Sequence, residues 1–265
     1  MTELEPLALL FERDDAGGLG LPDELQRLYG GDLSLPEESL FANFVATIDG
    51  VVAIPALERS NALIAGGDPA DRFVMGLLRA AADAILLGCG TVNASPQGRW
   101  RADSVFPDAA EAFRAFRSQP ARVAIATGMG RLNPEHPVLR EGALVLATER
   151  AAGVLEGRLP EEAELAVVPG DTAVDVAAAV RLLRERGYGR ILSEAGPRLF
   201  GSLVREELVG ELFLTVSPLL AGRVPAEDRL AIVEGVALLP EQEHRGSLRS
   251  ARLHGEHLFL RYGFG

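Results

Sequence analysis

Apolar positions recur with two periods along the chain, and the period switches repeatedly. "LFANFVATIDG", residues 40–50, is dense in Phe, Val, Thr and Ile and stops at Asp49-Gly50, so it predicts a strand closed by a turn. "GGDPADRFVMGLLRAAAD", residues 66–83, changes to helical spacing. Phe73, Val74, Leu77, Leu78 and Ala81 share one face, Asp68 is the N-cap and Pro69 fits the first helical position. "AILLG" is apolar throughout, the pattern of a strand buried on both faces, and it runs into a loop, "CGTVNASPQGRW". Strands follow at "RVAIAT", "ALVLAT", "AELAVVP", "RILS" and "GELFLTVSP". Helices are expected over "FPDAAEAFRAFRSQP", from Glu149, over "DTAVDVAAAVRLLRERG" with Asp171 or Thr172 as cap and Gly187 as stop, and after Gly196. The tail, "SLRSARLHGEHLFLRYGF", alternates like a hairpin around His254-Gly255.

Strands alternating with helices predict a layered α/β fold. The last strands have no helices between them, so antiparallel additions to a mostly parallel sheet are expected. Residues 1–38 are acidic and turn-rich and read as an N-terminal arm with one short helix near residues 23–29. No linker-like stretch divides residues 39–265, which read as one domain.

Composition narrows the function. A net charge of −12 disfavours nucleic acid and anionic membrane as partners. No lysine occurs, which excludes Schiff-base chemistry and a Walker A loop. A single cysteine, Cys89, forbids an internal disulfide and fits a reducing cytoplasm. The opening residues carry acids where a secretory leader needs positive charge, and no apolar run reaches the ~20 residues of a membrane span.

Ligands of open α/β sheets sit beyond the carboxyl ends of the strands. Three such ends carry small residues: Gly88, Gly90 and Thr91; Thr127, Gly128 and Gly130; and Gly196, followed by Pro197 and Arg198 at a helix start. One glycine-bearing turn means only a turn. Three, each directly after an apolar strand, point to a nucleotide cofactor whose phosphate meets a helix N-terminus. Asp49 fits two readings, a plain Asp-Gly turn or an acid at the tip of a central strand. His254 and His257 resemble a metal pair, but a hairpin turn between them should splay them and no third ligand is evident, so no metal is expected. Cys89 reads as a small packed side chain, and four scattered histidines give no triad.

"FANFVATIDGVVA", "GDPADRFVMGLLRAAADAILLGCGTV", "VAIAT" and "ILSEAGPRLFGSLVREELVGELFLTVSPLLAGR", from about Phe41 to Gly222, resemble the bacterial riboflavin-pathway reductases of the RibD C-terminal-domain family. The likeness is to stand-alone actinobacterial members, since the chain has no deaminase zinc signature. The resemblance implies a dihydrofolate reductase-like three-layer fold and NADPH as cofactor. Gly88, Gly90, Thr91 and Val92, with Glu194, Ala195, Gly196, Pro197, Arg198 and Leu199, would hold the pyrophosphate. Thr127, Gly128 and Arg131 would lie near the adenosine 2′-phosphate.

Asp49 matches the Asp of the family's "S-L-D-G" stretch, which implies a catalytic, substrate-bonding role, and Asn43, Arg72 and Ser95 are the further substrate candidates. A substrate phosphate would draw on Arg59, Arg72 or Arg99. Two departures stand out. Ala195-Gly196 replaces the family's Gly-Gly, a dipeptide that is strained and often cis in the related fold. Asn93-Ala94-Ser95-Pro96 replaces an Asp-Asp-Pro that helps position the ribosyl substrate. The implied reaction is hydride transfer to a C=N bond of a ribosylaminopyrimidine phosphate. A pterin reductase and a non-catalytic nucleotide binder are the alternatives. A homodimer through the C-terminal strands is the implied assembly.

Overall fold

A computed structural model describes residues 4–13, 17–57, 60–224 and 227–265. The strands are β1 (Ala8–Glu12), β2 (Ser39–Thr47), β3 (Ala84–Gly88), β4 (Arg122–Thr127), β5 (Leu144–Ala147), β6 (Glu164–Val167), β7 (Arg190–Ser193), β8 (Glu211–Ser217), β9 (Ser247–His254) and β10 (His257–Gly263). The α-helices are α1 (Asp23–Tyr29), α2 (Ser60–Ile64), α3 (Pro69–Ala81), α4 (Cys89–Asn93), α5 (Ala102–Val105), α6 (Ala110–Phe116), α7 (Pro137–Arg140), α8 (Glu149–Leu155), α9 (Val176–Glu185) and α10 (Pro197–Arg205).

All ten strands form one sheet in the order β1-β9-β10-β8-β2-β7-β3-β4-β5-β6. Neighbours from β8 to β6 run parallel, whereas β10, β9 and β1 are added antiparallel. Helices α1, α3, α6, α7 and α8 cover one face and α9 and α10 the other, giving three layers with a core on each side of the sheet. Helix α3 shows why the sequence folds this way. Asp68 accepts the Ala70 N–H at 2.6 Å, Pro69 opens the first turn, and the predicted stripe of Phe73, Leu77 and Leu78 is fully buried. Each of those side chains contributes about 1.5–3 kcal/mol of transfer free energy, which fixes the helix on the sheet.

Four elements differ from expectation. The segment after β3 is a short helix, α4, instead of a loop. Helix α9 is capped by Asp175, whose Oδ1 accepts the Ala178 N–H at 2.9 Å; neither Asp171 nor Thr172 caps it. Those two residues belong to a turn that packs on the next site, because a Cβ on Gly128 would lie 2.1 Å from the Thr172 carbonyl oxygen. The stretch 106–120 divides into a 3-10 turn and α6. The N-terminal arm carries its expected helix, but it also supplies β1, which pairs with β9. All five residues of β1 are exposed, so no alternation announces it. Arg252 of β9, 1 % exposed, secures the arm: it donates to the Tyr29 carbonyl at 2.8 Å and to Glu12 at 2.8 Å, and stacks on the Tyr29 ring.

Candidate functional site

The three glycine-bearing turns follow β7, β3 and β4, which are neighbours in the sheet, so the fold brings them side by side along its carboxyl edge. Two of them touch. A Cβ on Gly196 would meet only the Thr91 hydroxyl, at 3.5 Å, and a Cβ on Gly88 would meet Leu199 at 3.7 Å. Gly196 is the N-cap of α10, has no side-chain cap, and Pro197 occupies the first helical position. The next N–H groups of α10 therefore face the space between the turns with the positive end of the helix dipole behind them.

The strain expected of this dipeptide is absent. Gly196 has φ −64° and ψ 164°, and the Ala195–Gly196 bond is trans, the one cis bond among the described residues being Leu239–Pro240. Glycine serves here by lacking a side chain, not by its backbone angles. The other residues assigned to this half divide by role. Val92 is buried in the core, and Ala195 is buried beneath its turn. Glu194 does not offer its carboxylate to a ligand: Arg79 of α3 grips both of its oxygens at 2.7 Å. The Thr127 hydroxyl is buried and accepts the Gly130 N–H at 3.1 Å, holding its own turn. The heads of Arg131 and Arg198 are exposed, and Asn93 fastens the 131–133 loop through the Arg131 carbonyl at 2.6 Å and the Asn133 N–H at 3.2 Å.

The other half of the edge lies at β2 and β8. Asp49 follows β2, and its carboxylate accepts the Thr47 hydroxyl at 2.6 Å, the Ala221 N–H at 3.0 Å and the Gly222 N–H at 2.8 Å. These bonds, the Thr47 hydroxyl foremost, hold its pKa down at about 2. Asp49 thus ties the turn after β2 to the loop after β8 and stays ionised.

Asp71 is the opposite kind of carboxyl. It sits in the first turn of α3, 4 % exposed, and hydrogen-bonds the Thr215 hydroxyl of β8. Burial pushes its pKa up to about 6, with Asp68 and Glu194 adding to the rise and Thr215 and His257 opposing it. Asn43 of β2 and Thr215 line a small cavity under α3 together with Val74. Arg72, the substrate candidate from the sequence, is the exposed neighbour of Asp71. Positions 71, 74 and 78 share one helical face, so a carboxylate stands in an apolar stripe.

Ser95 receives His136 Nε2 on its carbonyl at 2.9 Å, which makes that loop part of the scaffold. Arg99 contacts Glu141 at 3.4 Å, and Arg59 lies outside the described residues. His254 and His257 are not splayed. They pair directly across the β9–β10 hairpin, and both reach Asp68, at 3.2 and 2.9 Å. Among the described residues no group of three or more His, Cys, Asp or Glu is placed to hold a metal, and no helix is long and apolar enough to cross a membrane.

Sheet order and the helices on its two faces define a dihydrofolate reductase-like fold. Residues 38–238 match the model of the RibD C-terminal domain, and the chain belongs to that family. A 2,5-diamino-6-ribosylamino-4(3H)-pyrimidinone 5′-phosphate reductase from Archaeoglobus fulgidus is 25 % identical over 201 residues, 76 % of this chain and 88 % of the relative. A pyrimidine reductase-like protein from Corynebacterium diphtheriae superposes with a TM-score of 0.67 at 19 % identity, covering 91 % of this chain and 98 % of its own. RibD from Acinetobacter baumannii gives 0.63 at 18 % identity over 86 % of this chain, which spans 58 % of that longer protein.

Proposed function

We propose that this protein is an NADPH-dependent reductase of the riboflavin pathway, acting on the C=N bond of a ring-opened ribosylaminopyrimidine 5′-phosphate. The observation that carries the reading is the pairing of a helix N-terminus without a side-chain cap, beside the Thr91 turn, with a buried carboxyl of raised pKa in the first turn of α3 that bonds the strand β8. The activity of the Archaeoglobus fulgidus relative supports the substrate class.

The cradle fits the cofactor's pyrophosphate, because glycine at 196 leaves the gap that a side chain would fill. The N–H groups at the start of α10 and the 88–91 turn would hold it, with Arg198 beside them. The backbone of 128–130 and Arg131 would meet the adenosine phosphate. When bound, the nicotinamide supplies the hydride. The chain's part is to align the substrate, exclude water and deliver the proton. Asp71, its pKa pushed up to about 6 by burial and its carboxyl fixed by Thr215, is the group that would pass that proton from its carboxyl oxygen to the nitrogen of the reduced bond. Asp49 shapes the substrate rim through the 221–222 backbone. The reading includes a cytoplasmic homodimer.

The test is NADPH consumption, followed by absorbance, with the 2,5-diamino and the 5-amino pyrimidine phosphates and with dihydrofolate in parallel. Turnover of a pyrimidine phosphate, with NADPH preferred over NADH by about tenfold or more, is expected. Turnover of dihydrofolate alone, or of none, overturns the reading.

A further inference from the structure

The turn after β4 is held by its own surroundings as far as Gly130. The Thr127 hydroxyl accepts the Gly130 N–H at 3.1 Å, and the Thr148 hydroxyl donates to the Gly128 carbonyl at 2.7 Å. Gly130, at φ 67°, lies against α8, where a Cβ would stand 2.8 Å from Val154. Beyond Gly130 the fastening comes from another segment. Among the described residues, the one side chain that bonds the 131–133 backbone is Asn93. Its Nδ2 donates to the Arg131 carbonyl at 2.6 Å and its Oδ1 accepts the Asn133 N–H at 3.2 Å. A carbonyl only accepts and a backbone N–H only donates, so these two partners fix which end of the amide is which. Three residues further on, His136 Nε2 meets the Ser95 carbonyl at 2.9 Å, so the 93–95 and 131–136 segments are joined twice.

Asn93 is the last residue of α4 and follows by two positions Thr91, whose hydroxyl stands at the Gly196 gap. One short helix therefore serves both the pyrophosphate cradle and the Arg131 loop. The Arg131 head is exposed and paired with no acid among the described residues, whereas Arg99 and Arg140 of the neighbouring segments hold Glu141 and Glu135. In a chain of net charge −12, an arginine left without an acid is available to an anion. A guanidinium binds phosphate through two aligned N–H groups, so its worth depends on where its own backbone stands. The Asn93 amide bonds that backbone at residue 131 itself.

We propose that Asn93 is a positioning residue for cofactor selection. By holding the backbone at 131 and 133 it aims Arg131 at the adenosine 2′-phosphate, so that preference for a 2′-phosphorylated nucleotide depends on an amide that touches no ligand. That role rests on the reading of the turn after β4 as the seat of the adenosine phosphate. The probes are 2′,5′-ADP and ADP, titrated calorimetrically into the ligand-free full chain. The wild type should bind 2′,5′-ADP about tenfold or more tightly than ADP, and Arg131→Gln should abolish the preference. Asn93→Leu keeps the side chain's shape without its polar atoms. It should weaken 2′,5′-ADP by about fivefold to tenfold and leave ADP within about twofold. Added to Arg131→Gln, it should weaken 2′,5′-ADP no further, because Asn93 acts through Arg131.

A preference kept in the folded Asn93→Leu protein, an equal loss for both nucleotides, or a further loss in the double variant overturns the proposal. Hydrogen exchange gives a readout without any ligand: the Asn133 amide should lose protection in Asn93→Leu, and unchanged protection overturns the proposal as well. If Asn93→Leu does not fold, Asn93→Ser, whose hydroxyl stops short of both partners, takes its place in every arm. A preference that Arg131→Gln abolishes and Asn93→Leu keeps removes Asn93 alone and leaves the phosphate seat standing. A wild type that binds the two nucleotides equally removes the seat and this role together, while turnover of the pyrimidine phosphates still decides the reductase reading.

Discussion

The two halves of the carboxyl edge are made of different materials. The half at β7, β3 and β4 is backbone: small residues, a helix start without a side-chain cap, and side chains such as Glu194 and Thr127 turned inward to hold the turns. The half at β2, β8 and α3 is side-chain charge: an ionised Asp49 on three donors, an Asp71 in the core whose pKa burial pushes up to about 6, and two histidines on Asp68. A backbone site tolerates change in everything except volume. A side-chain site depends on groups far apart in sequence keeping one another's charge state. Variants in the two halves should therefore fail in different ways.

The largest expected effect is on turnover. Asp71→Asn should cut kcat by roughly 10²- to 10⁴-fold while NADPH affinity stays unchanged. Its stability should move the other way. The folded state raises Asp71 to about 6 from 3.8, so the native chain holds a proton that the unfolded chain has lost over that window. Stability from this group is present below pH ~4 and falls as pH rises through about 6, by on the order of 3 kcal/mol. Urea midpoints measured from pH 4 to 7.5 should thus diverge in favour of Asp71→Asn as pH rises; parallel curves would remove the buried carboxyl from the account.

Gly196→Val probes the backbone half. Its φ suits any residue and its Cβ has room, so the chain should fold with nearly unchanged Tm. NADPH affinity should weaken by about a hundredfold or more, roughly 2.7 kcal/mol, because the branched side chain fills the phosphate gap. Fluorescence titration showing wild-type affinity would move the cofactor elsewhere.

Glu194→Gln tests whether the halves are joined. It leaves Arg79, 8 % exposed, without its counter-charge, and should cost about 3 kcal/mol in denaturant unfolding together with some cofactor affinity. A stability loss with no change at the cofactor would show that the pair serves packing alone.

The smallest effect is expected at Asp49. Asn keeps one acceptor oxygen for the 221–222 backbone, so kcat/KM should fall by no more than about tenfold. A fall beyond a hundredfold would return Asp49 to the reaction itself.

The same contrast explains what was legible in sequence. Glycine after an apolar strand is a local signal, so the turns at Gly88, Gly128 and Gly196 are readable from the amino-acid order alone, as are the cap and stripe of α3. Roles that depend on a distant partner are not. Glu194 reads as part of a phosphate turn until Arg79, 115 positions away, takes its carboxylate. His254 and His257 read as splayed because the hairpin alone does not show that Asp68 waits opposite them. Asp49 and Asp71 are both single acids near turns; only burial and partners separate the one whose pKa is held down from the one whose pKa is pushed up.

Strand β1 has a consequence for how the chain is made. Ala8 pairs with Leu253, so one of the first strands synthesised finds its partner among the last. At ribosomal speeds of about 5–20 residues per second the wait is roughly 10–50 s. During that time Leu9, Leu10 and Phe11 are an unpaired apolar segment, and the sheet between β10 and β6 has no need of them. Strand β1 can therefore join the sheet only after β9 has been made.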